Sequence, residues 1–199
     1  MNIDCLIPAA GVSSRMGKWK MTLPYKKTTI IENSIKNALT ACNRVIVVTG
    51  YRSDELVKLV QKPKSVITTT NNNFGNGMFS SIQAGVDLIN SEWFFITMGD
   101  MPDINENIYK SLIEAKDKNL NNFDIIRPIY KGKRGHPVLL HKKTIKAILA
   151  EPFSSEMKNV FSHFNVLDID MNLPDTFMDI DTPGEYKKIM ENNTQQGMV

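Results

Sequence analysis

Residues 30–49 read Ile30-Ile-Glu-Asn-Ser-Ile-Lys-Asn-Ala-Leu-Thr-Ala-Cys-Asn-Arg-Val-Ile-Val-Val-Thr49, and two periodicities meet inside the stretch. Ile31, Ile35, Ala38 and Cys42 recur at steps of 4, 3 and 4, the spacing that lines side chains along one stripe of an α-helix. Arg44 to Thr49 is instead an unbroken run centred on Val45-Ile46-Val47-Val48. β-branched side chains suit a pleated surface, and a run without polar alternation predicts a strand buried on both faces, as in a parallel sheet.

The same alternation extends outward in both directions. Ile3 to Pro8, Ser65 to Thr70 and Trp93 to Met98 read as further buried strands. Ile82, Gly85 and Ile89, and Ile104, Ile108, Leu112 and Ala115, repeat the helical spacing. Past residue 120 the rhythm changes. Asp124 to Tyr130 and His136 to Leu140 flank Lys131-Gly132-Lys133-Arg134-Gly135, which reads as a hairpin-like excursion. Helical stretches at Lys142–Ala150 and Ser154–Phe161, a strand at Val166–Asp170 and a helix from Pro183 follow. The expectation is one three-layer α/β domain over residues 1–191, with a mainly parallel sheet and a late antiparallel insertion. Residues 192–199 are expected to be a frayed polar tail.

Composition sets limits on function. The 199 residues, 42% of them hydrophobic and 23% charged, are enough for a sizeable core and exclude disordered or fibrous classes. The charge balance, 24 Lys+Arg against 21 Asp+Glu, is only +3, too weak and too evenly spread for a nucleic-acid binder. A small anionic substrate remains compatible with it. Cys5 and Cys42 lack C-x-x-C spacing, which argues against a disulfide scaffold or zinc site and for a reducing cytoplasm. No apolar run approaches the ~18 residues of a membrane helix, and Met1 to Asp4 lacks the basic start of a secretory signal.

Ligands of open α/β sheets lie at the carboxyl ends of the strands. There, after Pro8, the chain runs Ala9-Ala10-Gly11-Val12-Ser13-Ser14-Arg15-Met16-Gly17-Lys18-Trp19-Lys20. Small residues allow close backbone approach, and Arg15 and Lys20 bring charges suited to phosphate. It is not a Walker A loop, because five residues separate Gly11 from Gly17 and Trp19 stands where the hydroxyl belongs. An ordinary turn with solvated basic residues explains the composition equally well.

The pattern Ala-Ala-Gly-x-Ser-x-Arg-Met-Gly-x-x-Lys resembles the signature loop of the nucleotidyltransferases that act on molybdenum cofactor. Its Ala9-Ala10-Gly11 start is similar to the cytidylyltransferase branch, the molybdenum hydroxylase accessory proteins, where guanylyltransferases typically show Ala-Gly-Gly. The resemblance implies a Rossmann-like nucleotidyltransferase fold, a loop wrapped around a triphosphate, and Arg15 and Lys20 on its phosphates. Pro8 departs from the family, which usually has an aliphatic residue or Thr there, so a less regular strand end is expected.

Gly99-Asp100-Met101-Pro102 follows the strand at Trp93. Asp100 could simply cap a turn ahead of Pro102, or hold Mg²⁺, which takes few protein ligands and relies on phosphates for the rest. The family resemblance favours the metal. Asp179-Ile180-Asp181-Thr182-Pro183 also resembles a family motif, implying a second metal contact from Asp181, although Asp181 or Thr182 could equally N-cap the last helix.

Thr49 and Gly50 are candidates to border the nucleotide. Ser80 and Ser81 are candidates at a helix start, where Phe79 replaces a family serine, and His136 resembles the family's Gly-His-Pro. Lys131, Lys133 and Arg134 read as a solvated tip, or as a receiver for an anionic pterin phosphate or an acidic partner surface. With the resemblance spanning Ile3 to about Tyr186, the implied activity is Mg²⁺-dependent transfer of CMP from CTP to molybdopterin, with a molybdenum hydroxylase apoenzyme as recipient. The alternatives are a guanylyltransferase or a sugar-phosphate nucleotidyltransferase of the same fold, and a non-catalytic protein that hands the cofactor to a molybdenum hydroxylase.

Overall fold

Strand β1 (Ile3–Pro8) is buried at all six positions, because it has a strand on either edge and helices over both faces. Successive residues of a strand point to opposite faces. Cys5 and Ile7 therefore enter one apolar cluster with Val45, Val47 and Phe95, and Leu6 enters another with Ile46, Val48, Phe94 and Ile96. The computed structural model describes residues 2–61, 63–119, 122–171 and 179–196.

After β1, two single turns of 3-10 helix (Ser14–Met16 and Lys20–Thr22) and a small hairpin, β2 (Pro24–Tyr25) and β3 (Thr28–Thr29), lead into α1 (Ile30–Leu39). Strands and helices then alternate as β4 (Arg44–Thr49), α2 (Ser53–Val60), β5 (Val66–Thr70), α3 (Met78–Val86), β6 (Trp93–Ile96) and α4 (Glu106–Lys118). The second half comprises β7 (Ile125–Tyr130), β8 (Lys133–Arg134), β9 (Val138–His141), α5 (Thr144–Ala150), α6 (Met157–Phe161), β10 (Val166–Asp170) and α7 (Pro183–Gln196).

The main sheet has the order β10-β7-β9-β6-β1-β4-β5, with β8 on the edge of β7. Its pairs are parallel except those made by β9 and β8. The expected α/β sheet with a late antiparallel insertion is thus present, and β9 wedges the insertion into the sheet beside β6. Helices α1 and α4 cover one face through Ile31, Ile35, Ile108 and Leu112, and α3, α5 and α6 cover the other through Ile82, Val86, Ile148 and Val160.

Pro8 fits because of alternation in the ladder. Ala9 donates to Val48 on the β4 side and Thr97 donates to Leu6 on the β6 side, so the N–H that Pro8 lacks would face β6, which has ended at Ile96.

Several boundaries differ from expectation. Cys42 and Ile89 lie beyond the ends of α1 and α3, and Ile104 precedes α4, yet Cys42 and Ile104 are buried. A turn can bury the next residue of a stripe without continuing the helix. Helix α7 runs to Gln196, into the segment expected to be a frayed tail, while 197–199 lie outside the described residues.

A third, smaller cluster sits at the carboxyl end of the sheet. Met16 of the first loop, Tyr25 of the hairpin, Ile30 of α1, Ile180 and Ile189 of α7 pack together. It ties the opening loop to the last helix, and this brings the two halves of the site below into one place.

Candidate active site

The loop after β1 is shaped from within. Ser13 and Gly17 both adopt left-handed backbone, at φ 55° and 63°, which Gly17 does at no steric cost. Ser13 Oγ accepts from the Lys20 backbone N–H at 3.3 Å, closing the loop and aiming Lys20 inward. Gly50 buttresses it from β4: a Cβ there would stand 2.6 Å from Ala10 Cβ and 3.0 Å from Phe74 Cβ, and the next residue, Tyr51, donates to Ala10 O at 3.1 Å.

The turn carrying Asp100 is clamped by α1. Ser34 Oγ donates to Gly99 O at 3.0 Å, and Asn33 and Asn37 both donate to Pro102 O, at 2.6 and 2.7 Å. Asp100 O accepts from Ile180 N at 3.1 Å. That bond places Asp181 next to Asp100. Thr182, not Asp181, caps α7: its hydroxyl accepts from Glu185 N at 3.3 Å while Glu185 Oε2 accepts from Thr182 N at 2.7 Å, a capping box with Pro183 in the first turn. Capping therefore leaves the Asp181 carboxylate free to face the cleft.

In the cleft, the Lys20 ammonium donates to Asp100 Oδ2 and, at 2.7 Å, to Asp181 Oδ1. Asp181 Oδ2 pairs with Arg15 at 2.6 Å. Burial would lower the Lys20 pKa, but Asp100 and Asp181 outweigh it and raise it. Burial would raise the Asp181 carboxyl, but Lys20 and Arg15 hold it below its ordinary value. Asp179, facing the same cleft, is raised by burial and then by the charges of Asp181 and Asp100. Asp100 Oδ1 is buried with no hydrogen-bond partner among the described residues.

These groups line a cleft of about 540 Å³. Ala9, Ala10, Gly11, Ser13, Arg15, Lys20, Ser81, Asp100, His136 and Asp181 all border it. At Gly11 an added Cβ would meet nothing within 4 Å, so its backbone is open to an occupant. His136 is half-buried, and desolvation lowers its pKa.

A family model described as a MobA-like NTP transferase domain matches residues 5–166. The chain belongs to that family. The molybdenum cofactor cytidylyltransferase of Escherichia coli strain K12 is 35% identical over 97% of this chain and 98% of its own length. A probable molybdenum cofactor guanylyltransferase of Bacillus mycoides strain KBAB4 is 31% identical, covering 91% of this chain and 92% of its own. Among solved structures, a nucleotidyl transferase from Methanothermobacter thermautotroptrophicus superposes with a TM-score of 0.83 at 18% identity, covering 98% of this chain and 99% of that one. The chain thus has the Rossmann-like fold of the nucleotidyltransferases.

Three sequence candidates do not reach the cleft of this MobA-like transferase. Thr49 is fully buried, its hydroxyl engaged by Ser53, Thr69 and Thr70. Gly50 supports the loop from behind. Ser80 is consumed at the start of α3, donating to Gly77 O at 2.8 Å and accepting from Asn71 at 2.9 Å. Polar residues at strand and helix ends resemble ligand groups in a sequence, but here they satisfy one another. Phe79, the departure from the family pattern, packs into the second core cluster and does not line the cleft. The sequence reading did not single out Asp179, although it stands two residues before Asp181 and an extended chain points both the same way.

Proposed function

We propose that this chain transfers CMP from CTP to the terminal phosphate of molybdopterin, or of its molybdenum-loaded form, releasing pyrophosphate. The observation that carries the reading is the meeting of Arg15, Lys20, Asp100 and Asp181 in one cleft, in a chain 35% identical to a molybdenum cofactor cytidylyltransferase. Joining two phosphates is opposed by their charge, so catalysis here is positioning plus neutralisation. Arg15 offers a planar fork of donors and Lys20 a compact charge. Gly11 leaves backbone uncovered where phosphate oxygens approach. The attacking phosphate is already anionic and needs no general base.

Mg²⁺ is the ion we assign to the two carboxylates. The fit rests on donor chemistry: Asp100 keeps a buried carboxylate oxygen without a partner, Asp181 stands beside it, and a hard cation completes its shell from phosphates and water. When bound, the ion neutralises phosphate oxygens and orients them. Lys20, held between the two carboxylates at the cleft, would offer its ammonium to the triphosphate.

Residues 1–191 form the catalytic unit in this reading, and a molybdenum hydroxylase apoenzyme receives the product. Both cysteines are buried and unpaired, which suits a cytoplasmic setting; no described helix is long and apolar enough to cross a membrane.

The test is pyrophosphate release with each of the four nucleoside triphosphates, with and without purified molybdopterin. Release with CTP that depends on molybdopterin is expected. Release with GTP instead would reassign the base, and molybdopterin binding without turnover would favour a carrier.

A further inference from the structure

The cleft holds three cationic side chains close to its chemistry, and two are already taken. Lys20 and Arg15 are engaged by Asp100 and Asp181. The third, Arg134, enters from the opposite half of the chain and lines the same cleft. Among the described residues no acidic side chain pairs with it.

Its position is built rather than incidental. Lys131 and Gly132 both have positive φ, 49° and 76°, the conformation of a two-residue hairpin turn whose twist matches its strands. Tyr130 pairs with Lys133 and Ile129 with Arg134 across this turn, and Gly135 N donates to Pro128 O at 2.9 Å. Arg134 is therefore fixed in register at the base of the hairpin. Because adjacent strand residues point to opposite faces, Lys133 carries the same charge away from the cleft and is absent from its lining. Two residues on, His136 lies close enough to Asp100 to feel its charge. Arg134 thus lines the cleft from the hairpin, an element separate from the opening loop and from the turn that carries Asp100.

We propose that Arg134 binds the phosphate monoester of the acceptor, the group that attacks the α-phosphorus. In-line displacement requires the nucleophile to approach opposite the leaving pyrophosphate. With Arg15 and Lys20 assigned to the triphosphate and its leaving group, Arg134 is the cation of the cleft lining left for the nucleophile. A guanidinium there matches a phosphate dianion with two parallel N–H donors and orients it without accepting a proton. The inference rests on the reading of the cleft as a nucleotidyl-transfer site.

The experiment compares wild type, Arg134→Ala, Arg134→Lys and Lys133→Ala for equilibrium binding of molybdopterin and for turnover with CTP. A charge-assisted contact of this kind is worth about 10- to 100-fold in affinity. Arg134→Ala should weaken molybdopterin binding and raise its KM by about that factor, leaving the KM for CTP and thermal stability unchanged. Arg134→Lys should recover part of the loss, and Lys133→Ala should behave as wild type. Unchanged molybdopterin binding in Arg134→Ala, an effect on the KM for CTP alone, or an equal effect from Lys133→Ala would each overturn the proposal. A wild type that binds molybdopterin through Arg134 but never releases pyrophosphate would keep this assignment and remove the transferase reading.

Discussion

Lys20 is 9% exposed and joins carboxylates from segments 80 and 161 residues away in sequence. Removing it leaves Asp100 without its cation and Asp181 with Arg15 alone, an arrangement that costs stability and favours any other cation. Two outcomes follow for Lys20→Ala. Turnover falls by about 10²- to 10³-fold, as for loss of one preorganised charge donor. Mn²⁺ binding to the nucleotide-free protein, read from the spin-resonance signal of the free ion, strengthens by about tenfold or more, because the competing ammonium is gone. Unaltered Mn²⁺ affinity would show that Lys20 does not occupy the cation position. Asp181 marks how far such a site can be read from sequence alone. In Asp181-Thr182-Pro183, capping and metal contact were both open, and only the hydrogen bonds of Thr182 with Glu185 separate the two roles.

At the scale of elements, the site depends on polar residues that never touch it. Helix α1 spends Asn33, Ser34 and Asn37 on the carbonyls around Asp100. Asn33→Ala leaves part of that clamp unmade and should lower kcat severalfold while leaving the KM for CTP nearly unchanged, with a stability loss of about 1–2 kcal/mol measured by urea unfolding. Packing of α3 gives a second case. Gly85 lies against the sheet so closely that a Cβ would press on Leu6 and come within 2.6 Å of Val48 Cγ2. In a free helix, Gly→Ala gains up to about 1 kcal/mol. Here overpacking, about 1–3 kcal/mol, should win, and Gly85→Ala should unfold at lower temperature than wild type. The strands Ile3–Pro8, Arg44–Thr49 and Val166–Asp170 were legible to the residue because each is a short segment built around Ile, Leu or Val. Helix α2 was not, since Ser53–Val60 buries only Leu56 and Val60, too few positions to establish a period. The hairpin β2–β3 has two residues per strand and no alternation to read.

Across the whole molecule, the end of the sheet away from the cleft carries its own polar anchor. Asp4 is 2% exposed and accepts from Arg44 at 2.8 and 3.0 Å and from the N–H groups of Asn90 and Ser91 at 2.7 and 3.2 Å. Burial would raise its pKa, but these donors outweigh burial and hold it below its ordinary 3.8. A carboxyl depressed on folding contributes stability above its unfolded pKa and loses it as pH falls through the folded value. The melting temperature of wild type should therefore drop from about pH 4 downward more steeply than that of Asp4→Asn, and the two curves should converge in acid. Parallel curves would exclude this anchor as a source of acid lability. The sheet and its order of elements could be read from hydrophobic pattern because burial on two faces is written in the central strands β1, β4, β6 and β9. The meeting of residues 15, 20, 100 and 181 could not, because it depends on the small cluster of Met16, Tyr25, Ile30, Ile180 and Ile189, whose members lie far apart and share no period.

That cluster has a consequence for truncated forms of the chain. Every described strand of the sheet is complete by Asp170, but Asp181 and two of the residues that pack with Met16, Ile180 and Ile189, lie downstream of all of them. A product clipped before residue 179 would carry every described strand of the sheet yet lack Asp181, Ile180 and Ile189, so a sheet able to form is not by itself a site able to act.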